Sequence, residues 1–260
     1  MADQSFFSQG ATGLTGVFGK IGPHSAARAL AATIGLLAAI FAHEVNLAIA
    51  ETRPPGTETP FSGAASDSEV RSIVKGLKQH YDRTHSFSAN FDQQILSSAG
   101  TRTERRGVLY YRRPAQMRWV FSAPRDELIV SDGSTLYNYQ PDLSQVIETP
   151  LAQALKSSPS AALLLGIGRL DRDFDVSLIK PQPADGLVHV ALNPKLGGER
   201  LELALDRTSY ALASLKVVDP LGNQTVFAFQ NTKDNPVLDD ALFTFKAPQG
   251  ADIIQSPTVP

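Results

Sequence analysis

The sequence predicts a mainly β protein with a minority of helix, built as one large antiparallel sheet. Three observations carry this. Beyond residue 85, apolar residues recur at every second position over short runs. Turn-forming pairs separate the runs: Asp132-Gly133, Pro141-Asp142, Asp185-Gly186, Gly197-Gly198 and Gly222-Asn223. One amphipathic stretch precedes the alternation, and one short interruption falls midway.

Composition agrees with a folded domain. Of 260 residues, 42% are hydrophobic and 19% charged, which excludes a disordered, collagen-like or multi-span membrane chain. Lys+Arg 24 against Asp+Glu 26 gives a net charge of −2, so no basic excess points to nucleic acid. There is no cysteine, which excludes disulfides, thiolate metal sites, a cysteine nucleophile and a lipid-modified cysteine.

The elements follow in order. Lys20 and Arg28 precede an uncharged run over 29–42, too short for the about 20 residues that cross a bilayer but suited to the apolar core of a signal peptide. Ala48-Ile49-Ala50 supplies small residues at a cleavage site, so residues 1–50 are predicted to be a signal peptide cut after Ala50. An uncleaved anchor reaching Ala50 would bury Glu44 at a cost of up to about 3 kcal/mol near the membrane centre. Residues 51–65, with Pro54, Pro55 and Pro60, read as a flexible lead-in, and 66–260 as one domain.

Ser66 and Glu69 have the spacing of a capping box. Val70, Ile73, Val74, Leu77 and Tyr81 then form one apolar stripe opposite Arg71, Lys75 and Lys78. Period two takes over with Phe87, Ala89 and Phe91, then Met117, Trp119 and Phe121. It returns in Leu201, Leu203 and Leu205, in Phe227 and Phe229, and in Phe243 and Phe245, for about ten or eleven strands in all. Asp132-Gly133 is expected to make a two-residue hairpin turn between 128–131 and 135–139. Thr149-Pro150 and Ser158-Pro159 each pair a capping residue with a first-turn proline, predicting short helices over 151–156 and 160–165. The second is apolar all round and must be enclosed. A sheet this large curls. The three helices, laid on its concave face, would cover an apolar interior without closing a barrel. The lining expected from alternation and helical spacing is Leu77, Tyr81, Phe87, Phe91, Met117, Trp119, Phe121, Leu163 and Leu164.

Catalytic patterns are thin. His80 and His85 are five apart, off the spacing of two ligands on one helical face, and with His189 they read as surface histidines. Asp171, Asp173 and Asp175 start like a calcium loop but have Val176 in place of its glycine, and read as the solvated start of a strand. Ser72-x-x-Lys75 and Ser177-x-x-Lys180 match a serine acyl-enzyme pattern twice, without its KTG partner. No enzyme is expected, and no cofactor or metal.

The segment Tyr110-Tyr111-Arg112-Arg113-Pro114 stands out, followed by Met117, Arg118 and Trp119. Pro114 marks a strand end or edge, and it restricts the residue before it. Arg113 therefore reads either as a solvated hairpin tip or as a cation at the rim of the apolar interior, bonding carbonyls of the covering helices.

Several fragments, in order and spacing, resemble the LolA family of periplasmic outer-membrane lipoprotein carriers. They include Ser86-Phe87 through Phe91-Asp-Gln93, Gly107-Val-Leu-Tyr110, Arg113-Pro114 and Arg118-Trp119. Further on come Ile129 to Gly133, Tyr137-Asn-Tyr139, Ser158-Pro159, Asp219 to Asn223, and Phe243 through Gly250. The resemblance implies an unclosed β-barrel with a helical lid over a hydrophobic cavity for acyl chains. It puts a lid latch on Arg113 and aromatic wall positions on Tyr110 and Trp119, with Met117 where an aromatic residue is usual. The helix position facing the latch is Tyr81, where the family has an aliphatic residue. The implied function is a monomeric periplasmic chaperone in outer-membrane lipoprotein sorting. Its partners would be acylated lipoproteins, an inner-membrane lipoprotein-releasing transporter and an outer-membrane acceptor. The alternative is a lipid- or glycolipid-binding or sensor module of the same fold.

Overall fold

The computed structural model describes residues 67–157 and 170–256. The expectations for the signal peptide, the lead-in, Ser66, the 160–165 helix, Leu163 and Leu164 lie outside the described residues.

The chain opens with helix α1 (Asp67–Arg83). Its stripe works as spaced: Ile73 and Leu77 are buried and Val70, Val74 and Tyr81 half-buried, while Arg71, Lys75 and Lys78 are exposed. Gly76 sits on the covered face because a Cβ there would stand 2.3 Å from the Tyr210 ring.

Six strands follow as a meander: β1 (Ser86–Leu96), β2 (Arg102–Arg112), β3 (Gln116–Ala123), β4 (Glu127–Asp132), β5 (Thr135–Gln140) and β6 (Gln145–Pro150). Then come α2 (Leu151–Ser157), a one-turn α3 (Leu170–Asp173), and β7 (Phe174–Leu178). β8 (Leu187–Pro194), β9 (Arg200–Asp206), β10 (Leu212–Val218), β11 (Gln224–Asp234) and β12 (Asp252–Gln255) complete the sheet. All twelve strands form one sheet in the order β12-β6-β5-β4-β3-β2-β1-β11-β10-β9-β8-β7. Its two edges, β12 and β7, are not paired with each other, so the barrel is unclosed. Among the described residues no helix is long and apolar enough to cross a membrane.

The sheet has twelve strands and not ten or eleven, and further expectations need correction. The sheet is not wholly antiparallel, because β12 runs parallel to β6, Asp252 opposite Gln145 and Gln255 opposite Glu148. Phe243 and Phe245 do not form a strand. Asp239 accepts from the Ala241 N–H and starts a 3-10 turn (Asp240–Phe243), so this segment crosses the outer face of the sheet as a strap. There Arg112 bonds Asp240 at 2.6 Å, Arg118 bonds the Leu242 carbonyl at 3.1 Å, and Phe245 packs 5.0 Å from Tyr137. Thr149 does not cap α2; its strand is still paired and its hydroxyl bonds Ser256 at 2.6 Å. Asp171 and Asp173 belong to the helical turn α3, which leads directly into β7, where Asp175 lies.

The β4–β5 turn also sits one residue later than expected. Gly133 takes φ +100°, and the Asp132 carboxylate accepts from the Ser134 and Thr135 backbone N–H groups at 2.7 and 2.8 Å. Burial works to raise the Asp132 carboxyl, but these bonds and that of the Ser134 hydroxyl outweigh it and hold it below the ordinary range.

Candidate functional site

The inner face of β1, β2 and β3 is laid out in rows by the strand register. Phe87, Tyr111 and Met117 form the uppermost row, Ala89, Leu109 and Trp119 the next, and Phe91, Gly107 and Phe121 the third. Side chains in one row face the same way because the pleat has period two. The upper two rows, Ala89 excepted, line a cavity of about 80 Å³. His80 and Tyr81 of α1, with Thr84 just after it, form the roof; Leu212 of β10 and Phe229 of β11 complete the wall.

The third row packs solid. Gly107 makes this possible: a Cβ there would stand 2.8 Å from the Phe91 ring and 2.0 Å from the Val120 carbonyl oxygen. Phe91 meets Trp119, Phe121 and Phe227 with ring centroids 4.9, 5.1 and 6.2 Å away, all in edge contact. Below it the inner face turns polar, with an ion pair of Arg105 and Glu127 and the guanidinium 3.8 Å over the Phe121 ring.

Of the expected lining residues, Tyr81, Phe87, Met117 and Trp119 come together around the cavity. Leu77, Phe91 and Phe121 are buried in the adjoining core and do not line it. Tyr110 is on the other face, in a row with Ser88 and Arg118, and the inward positions of β2 belong to Leu109 and Tyr111. His80 is not a surface residue; its side chain is 13% exposed, in the cavity roof, 3.8 Å from the Asp234 carboxylate. It follows Leu77 by three residues and so shares its helical face, a spacing that was readable. His189 lies on the outer face with its side chain 17% exposed, bonded to Asp185 at 2.8 Å. His85 is exposed.

Arg113 closes the roof. The β2–β3 hairpin holds its backbone: the Arg113 N–H donates to the His85 carbonyl at 2.9 Å, and Ala115 takes φ 58° with its carbonyl bonded by the buried Ser131 hydroxyl at 2.9 Å. From there the guanidinium donates to the Tyr81 carbonyl in the last turn of α1. The Tyr81 carbonyl also accepts the Thr84 N–H at 3.2 Å, and carbonyls of a last helical turn carry partial negative charge, which suits a cation. The guanidinium also lies against the Tyr111 phenol. Burial raises that phenol above its ordinary range, with Arg113 pulling in the opposite direction. Burial pushes the Tyr81 phenol up to about 12, with Tyr111 adding to it.

Asn235 holds the link between α1 and β1. Its side chain accepts from the His85 N–H at 2.7 Å and donates to the Arg83 carbonyl at 3.1 Å, while its own N–H donates to Ser86 at 2.8 Å. Sequence reasoning missed Asn235, whose only signal is the following Pro236. Among the described residues no three metal-ligating side chains cluster.

A sheet curled round an apolar cavity, roofed by a helix and fastened by one cation to helix backbone, defines a protein that shelters hydrophobic ligands. The family model of the outer membrane lipoprotein carrier protein LolA matches residues 82–246. An outer-membrane lipoprotein carrier protein of Azotobacter vinelandii is 32% identical over 75% of this chain and 93% of its own length. One of Chromohalobacter salexigens is 36% identical over 65% of this chain and 80% of its own. Among solved structures, a LolA superfamily protein of Nitrosomonas europaea aligns at TM-score 0.40 and 15% identity, over 68% of this chain and 97% of that one. The chain belongs to the LolA family of outer membrane lipoprotein carrier proteins.

Proposed function

We propose that this protein is a periplasmic chaperone that takes lipoprotein acyl chains into the cavity beneath α1 and carries them from the inner to the outer membrane. The observation that carries this reading is the apolar cavity roofed by His80, Tyr81 and Thr84 and fastened by Arg113, in a chain of this family. Each acyl CH₂ removed from water contributes about 0.8 kcal/mol, so a free acylated protein needs such a shelter to cross an aqueous compartment.

A carrier must also let go. The hydrogen bond from Arg113 to Tyr81 is charge-assisted and so is worth about 1.5–3 kcal/mol. It forms when the roof is shut, favours the empty state, and offsets part of the energy gained on loading. Residues 1–50 act as the export signal, cut after Ala50. Donor and acceptor are an inner-membrane releasing transporter and an outer-membrane receptor, and the carrier works as a monomer by binding and not by catalysis.

The test is release from spheroplasts that hold a labelled triacylated lipoprotein. Purified protein should bring the label into the soluble fraction as a one-to-one complex. Label that stays in the membrane while extracted phospholipid or glycolipid binds the protein would assign the cavity to a different cargo.

A further inference from the structure

Four polar side chains line the otherwise apolar cavity: His80, Tyr81, Thr84 and Tyr111. Three are engaged. The Thr84 hydroxyl donates to the His80 carbonyl at 2.9 Å, His80 Nε2 faces the Asp234 carboxylate at 3.8 Å, and the Tyr111 phenol is against Arg113. The Tyr81 hydroxyl makes no hydrogen bond among the described residues, although its backbone carbonyl is held by Arg113.

That hydroxyl faces the cavity without a protein partner, and a pure hydrocarbon chain laid beside it would take away its water and give no acceptor in return. We propose that the Tyr81 hydroxyl donates a hydrogen bond to an acyl carbonyl of the bound lipid, the ester or amide group at the head of the chain that the cavity shelters. This rests on the carrier reading above. The chemistry is complementary, since a phenol is a donor and an ester or amide carbonyl only accepts. With its pKa up near 12 the phenol keeps its proton at neutral pH and remains a donor.

The position also fits. Arg113 fixes the Tyr81 backbone, and the side chain lines the cavity from the roof. An acylated lipid sheltered there has its carbonyls at the head of the chains, where a roof donor can meet them. Tyr81 thereby selects acyl cargo over alkyl cargo, a discrimination that apolar walls cannot make.

The experiment compares two synthetic lipopeptides on the full chain: one with two palmitoyl esters, the other with two hexadecyl ethers. Binding is read by the fluorescence of Trp119, the only tryptophan, which lines the cavity. Wild type should bind the ester probe about tenfold more tightly than the ether probe. Tyr81→Phe, which keeps the ring, should bring the ester probe to the level of the ether probe and leave the ether probe unchanged. Tyr110→Phe, on the outer face, should preserve the ester preference. Equal binding of both probes by wild type, or equal weakening of both by Tyr81→Phe, would overturn the assignment and leave the carrier reading in place. Failure of wild type to bind either probe would overturn both.

Discussion

Two ends of the same inner face behave differently. At the upper end, alternation on three strands stacks Phe87, Tyr111 and Met117 above Leu109 and Trp119, and a cavity remains beneath α1. Two residues lower, the same alternation stacks Phe91 against Phe121 and Phe227, each at most 2% exposed. The rings are alike, and what differs is their neighbours. Below, Gly107 gives up its side-chain volume so that Phe91 can lie across β2. Above, no glycine makes room, and the roof is held by Arg113 and Asn235 instead of by interlocking rings. One end is built as core and the other as a container.

The sharpest way to break this contrast is to hollow out the packed end. Phe91→Ala is expected to lower the unfolding free energy by about 3–5 kcal/mol in urea, because its ring is enclosed on every side. Filling the container should do the reverse. Leu212→Phe, directed at a void of about 80 Å³, should cost less than about 1.5 kcal/mol while abolishing the Trp119 response to a lipopeptide.

The fastenings come next. Arg113→Leu should load from spheroplasts as well as wild type but hand over to outer membranes about tenfold less, since losing a charge-assisted bond lets the roof stay open. Normal delivery by that variant would remove the latch from the account. Asn235→Gly keeps the positive φ of 53° and loses only the side-chain bonds, so it should cost about 1–2 kcal/mol in chemical denaturation.

The smallest effect is alkaline. Tyr81 has its pKa raised from 10.0 to about 12 in the folded protein, so the folded state holds its proton more tightly than the unfolded one. That contribution is complete below pH about 10 and is lost as pH rises through about 12. Melting temperature should therefore fall more steeply between pH 10 and 12 for wild type than for Tyr81→Phe; parallel curves would show that the phenol is not enclosed.

Alternation alone puts Phe87, Phe91, Met117, Trp119 and Phe121 on the inner face, because they recur at every second position with polar neighbours, Val120 being the one apolar residue between them. It could not choose between Tyr110 and Tyr111. Leu109-Tyr110-Tyr111 offers a large side chain to both faces, and the register is settled by pairing with Ala89 and Phe87 on β1. Nor does periodicity tell cavity from core, since that depends on what lies opposite each ring. Arg113 was legible from its place before Pro114, yet its acceptor, a backbone carbonyl 32 residues away, has no signature in sequence. The strap over 236–251 was misread because Phe243 and Phe245 are spaced like a strand while Asp239 folds them into a turn. Sheet size already implies the open barrel, and family resemblance adds what spacing cannot, an expected use for its interior.

The central claim is that cargo lies at the upper end of the inner face. It is tested most directly by a triacylated lipopeptide carrying a photoreactive diazirine in one acyl chain, bound to the protein, irradiated and mapped by mass spectrometry. Adducts on Tyr111, Met117, Leu212 or Phe229 are the expected result. Adducts confined to the outer-face strap, or to exposed leucines such as Leu196 and Leu221, would contradict it.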